Sequence, residues 1–324
     1  MKAAVISNPG GPENLVIEER ALPVIKDGWV LVKVMAFGLN RSELMTRKGY
    51  SPNVKFPRVL GIECVGVVDN DPSGQYQPGQ KVAACMGGMG RDFDGSYAEY
   101  TLLPKELLYP FKSHLAWDQL GALPEMFETV YGSLHLALKI KSGDILLIRG
   151  GTSSIGLLAA QMAKQSGVKV VATTRDDGRK AMLTDNGAQN VIIDSGEIAS
   201  KVREVYPTGV DKVLELIGTV TLKDSLASAA PGGSVCMTGM LAEKWSVADF
   251  APMEFIPATV SLTVYDSGQV KAGKEHFQSF INDVESGAIK LSLGKVFNLA
   301  DIQAAHQLMD SNRAGGKIVV TTNS

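Results

Sequence analysis

At 324 residues the chain is longer than one hydrophobic core usually serves, and two domains are expected. Apolar residues at 45% against 20% charged exclude a disordered chain, and a net charge of −2 excludes a general affinity for nucleic-acid backbone or anionic membrane. Cys64, Cys85 and Cys236 make no disulfide framework, and neither a bilayer-length apolar run nor a signal-peptide core is present, so a reducing cytoplasm is expected.

From Met1 to about Pro110 the sequence reads as short strands: Met1–Ile6, Trp29–Ala36, Val59–Val68, Lys81–Ala84 and Ser96–Leu102. Turn-prone stretches such as Asn8-Pro9-Gly10-Gly11-Pro12 and Gln77-Pro78-Gly79 separate them, the pattern of an antiparallel, barrel-like β domain. Near Trp117 a helical stretch begins, Trp117–Leu138, interrupted at Pro124. Six apolar strands follow: Ile145–Ile148, Lys169–Thr173, Val191–Ile193, Lys212–Ile217, Ser234–Thr238 and Val260–Val264. Helical patterns fill the gaps between the first five, for example Ile155, Leu158, Ala159 and Met162, which describes a doubly wound parallel sheet in an α/β domain. The last of these strands is an exposed edge that could pair with a second copy.

After about Asp266 come a helix, Glu275–Ser286, a second helix with Asp301 as N-cap, and a strand, Lys317–Thr321. One strand with two helices is too little for a separate domain. Burying it against the first makes the β domain a split one, 1–118 and 267–324, around an α/β insert at 119–266.

The strongest local signal is Asp144-Ile-Leu-Leu-Ile-Arg-Gly-Gly-Thr-Ser-Ser-Ile-Gly156, where a strand runs into a small-residue turn that opens a helix. A dinucleotide pyrophosphate needs that context: close backbone approach, free N–H groups and the positive end of a helix. Gly151 and Gly156 fit the G-x-G-x-x-G spacing, while Ser153 holds the middle glycine's place and could donate to a phosphate; Thr152, Ser154 and Ile155 complete the loop. The second strand ends at a neutral Thr174 instead of the acidic residue that would hold the NAD ribose. Arg175, Arg179 and Lys180 supply cations for a 2′-phosphate, which favours NADPH. Asp176 and Asp177 would repel that phosphate if they pointed inward, or could cap the next helix. Ile217 and Gly239, where the fourth and fifth strands end, are counted with the cofactor-binding residues.

Taken together, Ala36-Phe-Gly-Leu-Asn40, Leu60-Gly-Ile-Glu-Cys-Val-Gly66, Gly95-Ser-Tyr-Ala-Glu-Tyr100, Ala122-Leu-Pro124 with Thr129, the Gly150–Gly156 loop and Ala314-Gly-Gly-Lys317 fall in one order. In that order they resemble the medium-chain dehydrogenase/reductase superfamily, in its zinc-free quinone oxidoreductase branch, over essentially the whole chain. The resemblance implies a GroES-like catalytic domain split around a Rossmann domain, NADPH as cofactor, and commonly a homodimer. It also implies that Asn40 contacts the nicotinamide end, Thr129 its ring or ribose, Lys180 the 2′-phosphate, and Arg313 the cofactor near the C-terminus.

Zinc-dependent relatives carry a Cys where Asn40 stands and a Gly-His-Glu where Gly61-Ile62-Glu63 stands, so no metal is expected. Cys64 and Cys236 read as core residues, with Cys85 less defined, and Glu63 as a structural or cleft carboxylate. Without a Lewis acid, the fitting hydride acceptors carry their own electron sink: quinones, or alkenes conjugated to a carbonyl. Many relatives have a tyrosine where this chain has Met45, which cannot donate a proton. Tyr50, beside Gly49, is the substitute donor read here, with water or the Asn40 amide as the alternatives. Met45 tilts the reading toward quinones over enoyl reduction. Met45 and Ser153 also keep open a rival of another class, a non-enzymatic NADPH-binding redox sensor or structural protein. A zinc-type alcohol dehydrogenase is the third reading.

Overall fold

The computed structural model describes residues 1–322 and divides into two compact units. One holds Met1–Phe127 together with the chain from Gly273 onward; the other is Glu128–Ala272. The sequence set the joins at 118/119 and 266/267, whereas the compact units meet at 127/128 and 272/273.

The contiguous unit is built on six parallel strands. Their order across the sheet is Asn190–Ile193, Lys169–Thr174, Ile145–Arg149, Val210–Glu215, Ala229–Met237 and Ser261–Val264. Numbered along the chain this is 3-2-1-4-5-6, the doubly wound order, with its reversal at the first strand. Near-continuous apolar strands suit a parallel sheet, and Leu147, Val171, Ile192, Val213 and Val235 form its buried core. The fourth strand stops at Glu215 instead of Ile217, because the Glu215 carboxylate takes the N–H groups of Ile217 and Gly218 at 2.6 and 3.0 Å.

The split unit carries two sheets. A small antiparallel one orders Leu15–Glu19, Lys2–Ile6 and Arg58–Val59. The larger runs Leu293–Asn298, Lys317–Thr321, Trp29–Gly38, Glu63–Asn70, Lys81–Cys85 and Leu108–Pro110, with Tyr100–Pro104 also paired to Trp29–Gly38. The expected strand Val59–Val68 is therefore two strands in two sheets, parted where Gly61 adopts φ +107°, and Ser96–Leu102 starts later, at Tyr100. The chain's last strand lies between Leu293–Asn298 and Trp29–Gly38, so the split β unit read from the sequence is the architecture seen. Cys85 is buried like Cys64 and Cys236.

One helix reading changes. Pro124 does not interrupt a helix: it sits in the first turn of Leu123–Tyr131, where its missing N–H costs no hydrogen bond, and the break falls at Gly121–Ala122. Asp301 is the N-cap residue of the helix Ile302–Asp310, as read, but it also ends a 3-10 turn, Leu299–Asp301, and its side chain makes no capping hydrogen bond. Among the described residues no helix is long and apolar enough to cross a membrane.

Candidate active site

The glycine loop opens from the first strand of the parallel sheet, at its topological reversal, and runs into the helix Ser154–Gln165. Gly151 is buried against the second strand, its N–H donating to the Thr173 carbonyl at 3.2 Å. A Cβ on Gly156 would lie 2.7 Å from the carbonyl oxygens of Gly150 and Gly151, so only glycine lets the helix pack this tightly on the turn. Ser153 is the helix N-cap. Its hydroxyl donates to the Gly150 carbonyl at 2.8 Å and accepts from Gly156 N–H at 3.0 Å. Its one proton is thus placed on the Gly150 carbonyl, and donating to a phosphate would mean turning the hydroxyl away from it. The N–H groups of Ser154 and Ile155, first in the helix, have no intrahelical acceptor, and with half-buried Thr152 they form the anion-facing end. These residues fit a dinucleotide pyrophosphate.

Thr174 is buried, and its hydroxyl is bonded both to the Asp176 N–H and to the Asp176 carbonyl, each at 3.1 Å. The Asp176 carboxylate caps Gly178 N–H at 3.0 Å, as the capping alternative required. Lys180 Nζ lies 2.6 Å from Asp177 and Arg179 Nε 3.5 Å from Asp176, so two of the three cations read for a 2′-phosphate are paired with the neighbouring acids. Arg175 is exposed and has no ion-pair partner among the described residues.

Sequence reasoning missed what supports this loop. Arg149, the last residue of the first strand, is fully buried. It holds Asp194 through Nε and Nη2 at 2.9 and 3.1 Å, Asp224 at 2.7 Å and the Gly196 carbonyl at 2.6 Å. Burial works to raise the Asp194 pKa, but the Arg149 hydrogen bonds and charge outweigh it and keep the carboxyl below its ordinary value. Beside it, burial lifts Glu215 above the usual range while Ser225 and the Gly218 and Ile217 N–H groups pull the other way. The visible signal was a lone arginine inside an apolar strand, immediately before the glycine turn.

In the split unit the chemistry gathers around Asn40, at the N-terminus of the helix Arg41–Arg47. Asn40 does not cap that helix with its side chain; Glu43 reaches back instead, accepting from Asn40 N–H at 2.9 Å and from Ile62 N–H at 3.1 Å. The freed carboxamide turns to two buried charges. Its Nδ2 donates to Glu63 Oε1 at 2.8 Å, and its Oδ1 accepts from Lys317 Nζ. Lys317 in turn lies 2.8 Å from Glu63 and 3.5 Å from Glu125, and Glu63 accepts Glu125 N–H at 2.8 Å. Burial alone would lower the Lys317 pKa; Glu63 and Glu125 more than offset it and raise it. Burial, with a smaller push from Glu63, lifts Glu43 to about 8, so its carboxyl is mostly neutral at pH 7.

The remaining expected residues are dispersed. Tyr50 follows the Arg41–Arg47 helix, whose seven residues span about 10 Å, and its side chain is 67% exposed. Buried Met45 lies within that helix. Thr129 is half-buried in the helix Leu123–Tyr131, its carbonyl accepting from Ser133 at 2.6 Å. Ile217 and Gly239 are half-buried, each two residues beyond the end of the fourth or fifth strand, Gly239 N–H donating to the Glu215 carbonyl at 3.1 Å. Arg313 is exposed in the turn before the last strand.

Comparison with known families finds the alcohol dehydrogenase GroES-like domain over residues 26–113 and the zinc-binding dehydrogenase domain over residues 154–285. The chain belongs to the medium-chain dehydrogenase/reductase superfamily, in its quinone oxidoreductase branch. Among its relatives, human quinone oxidoreductase is 26% identical over 99% of this chain and 97% of that protein. The 2-haloacrylate reductase of Burkholderia is 28% identical over 98% of each. A mycobacterial protein solved complexed with NADPH is 26% identical and superposes with a TM-score of 0.86 over 99% of this chain and 100% of its own. This medium-chain dehydrogenase/reductase is an oxidoreductase enzyme.

Zinc is carried in one family's description, and the residues here do not fit it. Ile62 is aliphatic, the Asn40 amide is occupied by an ammonium and a carboxylate, and burial pushes the Cys64 thiol far above its ordinary pKa. Among the described residues no three His, Cys, Asp or Glu side chains form a ligand group.

Proposed function

We propose that this medium-chain dehydrogenase/reductase is a zinc-independent NADPH oxidoreductase that delivers hydride to quinones or to alkenes conjugated to a carbonyl. The observation that carries the reading is the Asn40–Glu63–Lys317 cluster: where zinc-dependent relatives present ligands, this chain presents an amide locked between two buried charges. Such a site offers hydrogen bonds to an oxygen that gains negative charge, which suits acceptors with their own electron sink. The human and Burkholderia relatives, one named for quinones and one for an acrylate, support that acceptor class.

NADPH, when bound, supplies the hydride. Ser154 and Ile155 N–H groups at the helix start would hold its pyrophosphate, Thr174 and Arg175 its adenosine end, and Asn40 its nicotinamide end. Buried Met45 has no proton to give, so the exposed Tyr50 hydroxyl serves enones, and solvent suffices for a hydroquinone anion. Anaerobic stopped-flow oxidation of NADPH against a panel of quinones and enones tests the reading. Turnover with members of either class is expected, and none with any acceptor would overturn it.

A further inference from the structure

The register of the larger sheet brings three residues of distant sequence to one point. Val319 pairs with Gly38 and Val320 with Phe37, so the same antiparallel register carries Lys317 opposite Asn40. On the other side Ala36 pairs with Val65, which carries Gly38 opposite Glu63. Lys317 and Glu63 thus flank one strand, and they meet across it because residue 38 has no side chain. A Cβ there would lie 2.4 Å from Lys317 Cε and 2.5 Å from Glu63 Oε1. The ion pair then closes over Asn40, which is 8% exposed.

A primary carboxamide is nearly symmetric in shape, and turning it over exchanges its oxygen and nitrogen. Here the neighbours decide. Lys317 has only donors and ionised Glu63 only acceptors, so Oδ1 must face the ammonium and Nδ2 the carboxylate. The flipped amide would exchange two charge-assisted hydrogen bonds for two contacts of like polarity. One Nδ2 proton and one Oδ1 lone pair remain uncommitted to these partners. The ammonium on Oδ1 draws density from the nitrogen, making that remaining N–H a stronger donor.

We propose that Lys317 is a positioning residue: through Glu63 and directly, it fixes the orientation of the Asn40 carboxamide and strengthens the N–H which that amide turns toward the reacting end of the cofactor and acceptor. This rests on the reading of Asn40 as a nicotinamide-end residue. Lys317 is 5% exposed and its ammonium is held by Asn40, Glu63 and Glu125, so the effect expected on turnover is one that passes through Asn40.

Two measurements test it. Replacing Lys317→Met should lower kcat for a quinone about tenfold while the Kd for NADPH by calorimetry moves by less than about twofold. In an Asn40→Ala background the same replacement should cost less than about twofold, since the group it acts through is gone. Effects that multiply instead, or an unchanged kcat in Lys317→Met, would overturn the proposal. Selective 15N labelling of asparagine gives a readout independent of catalysis. The Asn40 side-chain NH2 signals, assigned by their loss in Asn40→Ala, should be protected from hydrogen exchange in the native protein and lose that protection in Lys317→Met. Unchanged protection would also overturn it. If Lys317→Met does not fold, Glu63→Gln with Lys317→Met removes both buried charges and should show the same loss. A wild-type protein that reduces no acceptor would fell the proposed function alone, because the amide spectrum still decides the role of Lys317.

Discussion

Asp177 sits 2.6 Å from Lys180 on an exposed turn and so would compete with the 2′-phosphate of the proposed NADPH for that cation. Removing it with Asp177→Asn should raise the NADPH-over-NADH ratio of kcat/KM about two- to fivefold, the range of an exposed ion pair; steady-state kinetics with both coenzymes checks it. Tyr50 is open to solvent, and under the proposed function only enones need its proton. Tyr50→Phe should leave quinone reduction within about twofold and slow enone reduction about 10²-fold, the weight of a general acid, measured side by side on one quinone and one enone. Legibility at this scale followed how far each residue's partners lie in sequence. Gly156 and the Asp176 cap could be read because their partners are local. Lys317 stood in a quoted motif but its role did not show, because its partners lie at Asn40, Glu63 and Glu125, far back in the chain.

The first strand of the parallel sheet carries the glycine turn, and Arg149 ties that turn to the loops after the third strand and to the helix Thr219–Ser228. Arg149→Met would leave Asp194 and Asp224 without their cation, a loss of about 3–5 kcal/mol for a broken buried pair. The expected outcome is a lower unfolding midpoint together with weaker NADPH binding, read by thermal denaturation and calorimetry. Periodicity alone supplied all six strands of this sheet, since each is an apolar run bounded by turns. It failed where a single residue overrides the pattern: here Glu215 ends its strand early by taking the next two N–H groups, and in the split unit Gly61 bends what had read as one continuous strand.

At the scale of the molecule, two buried groups in the split unit set opposite limits on pH. Burial, reinforced by Arg47, holds His306 neutral with a pKa of about 3 against an ordinary 6.5. The unfolded chain therefore takes up a proton that the folded one refuses, and stability falls as pH drops from 6.5 toward 3. Glu43 stays protonated up to about 8 against an ordinary 4.5, so stability falls as pH rises from 4.5 toward 8. Each limb has a slope on the order of 1.4 kcal/mol per pH unit. Urea denaturation across pH should show the alkaline limb flatten in Glu43→Gln and the acid limb in His306→Phe. The edge strand Ser261–Val264 has Val264 63% exposed, and a homodimer paired along it would dissociate in Val264→Lys, visible by sedimentation equilibrium. The strand Lys317–Thr321 enters its sheet beside residues synthesised some 280 positions earlier. On the ribosome the contiguous α/β unit has all its strands in hand long before its neighbour does. The barrel-like unit must wait, two strands short, until Leu293–Asn298 and Lys317–Thr321 emerge, and during that interval its open edge is exposed to aggregation and to chaperones.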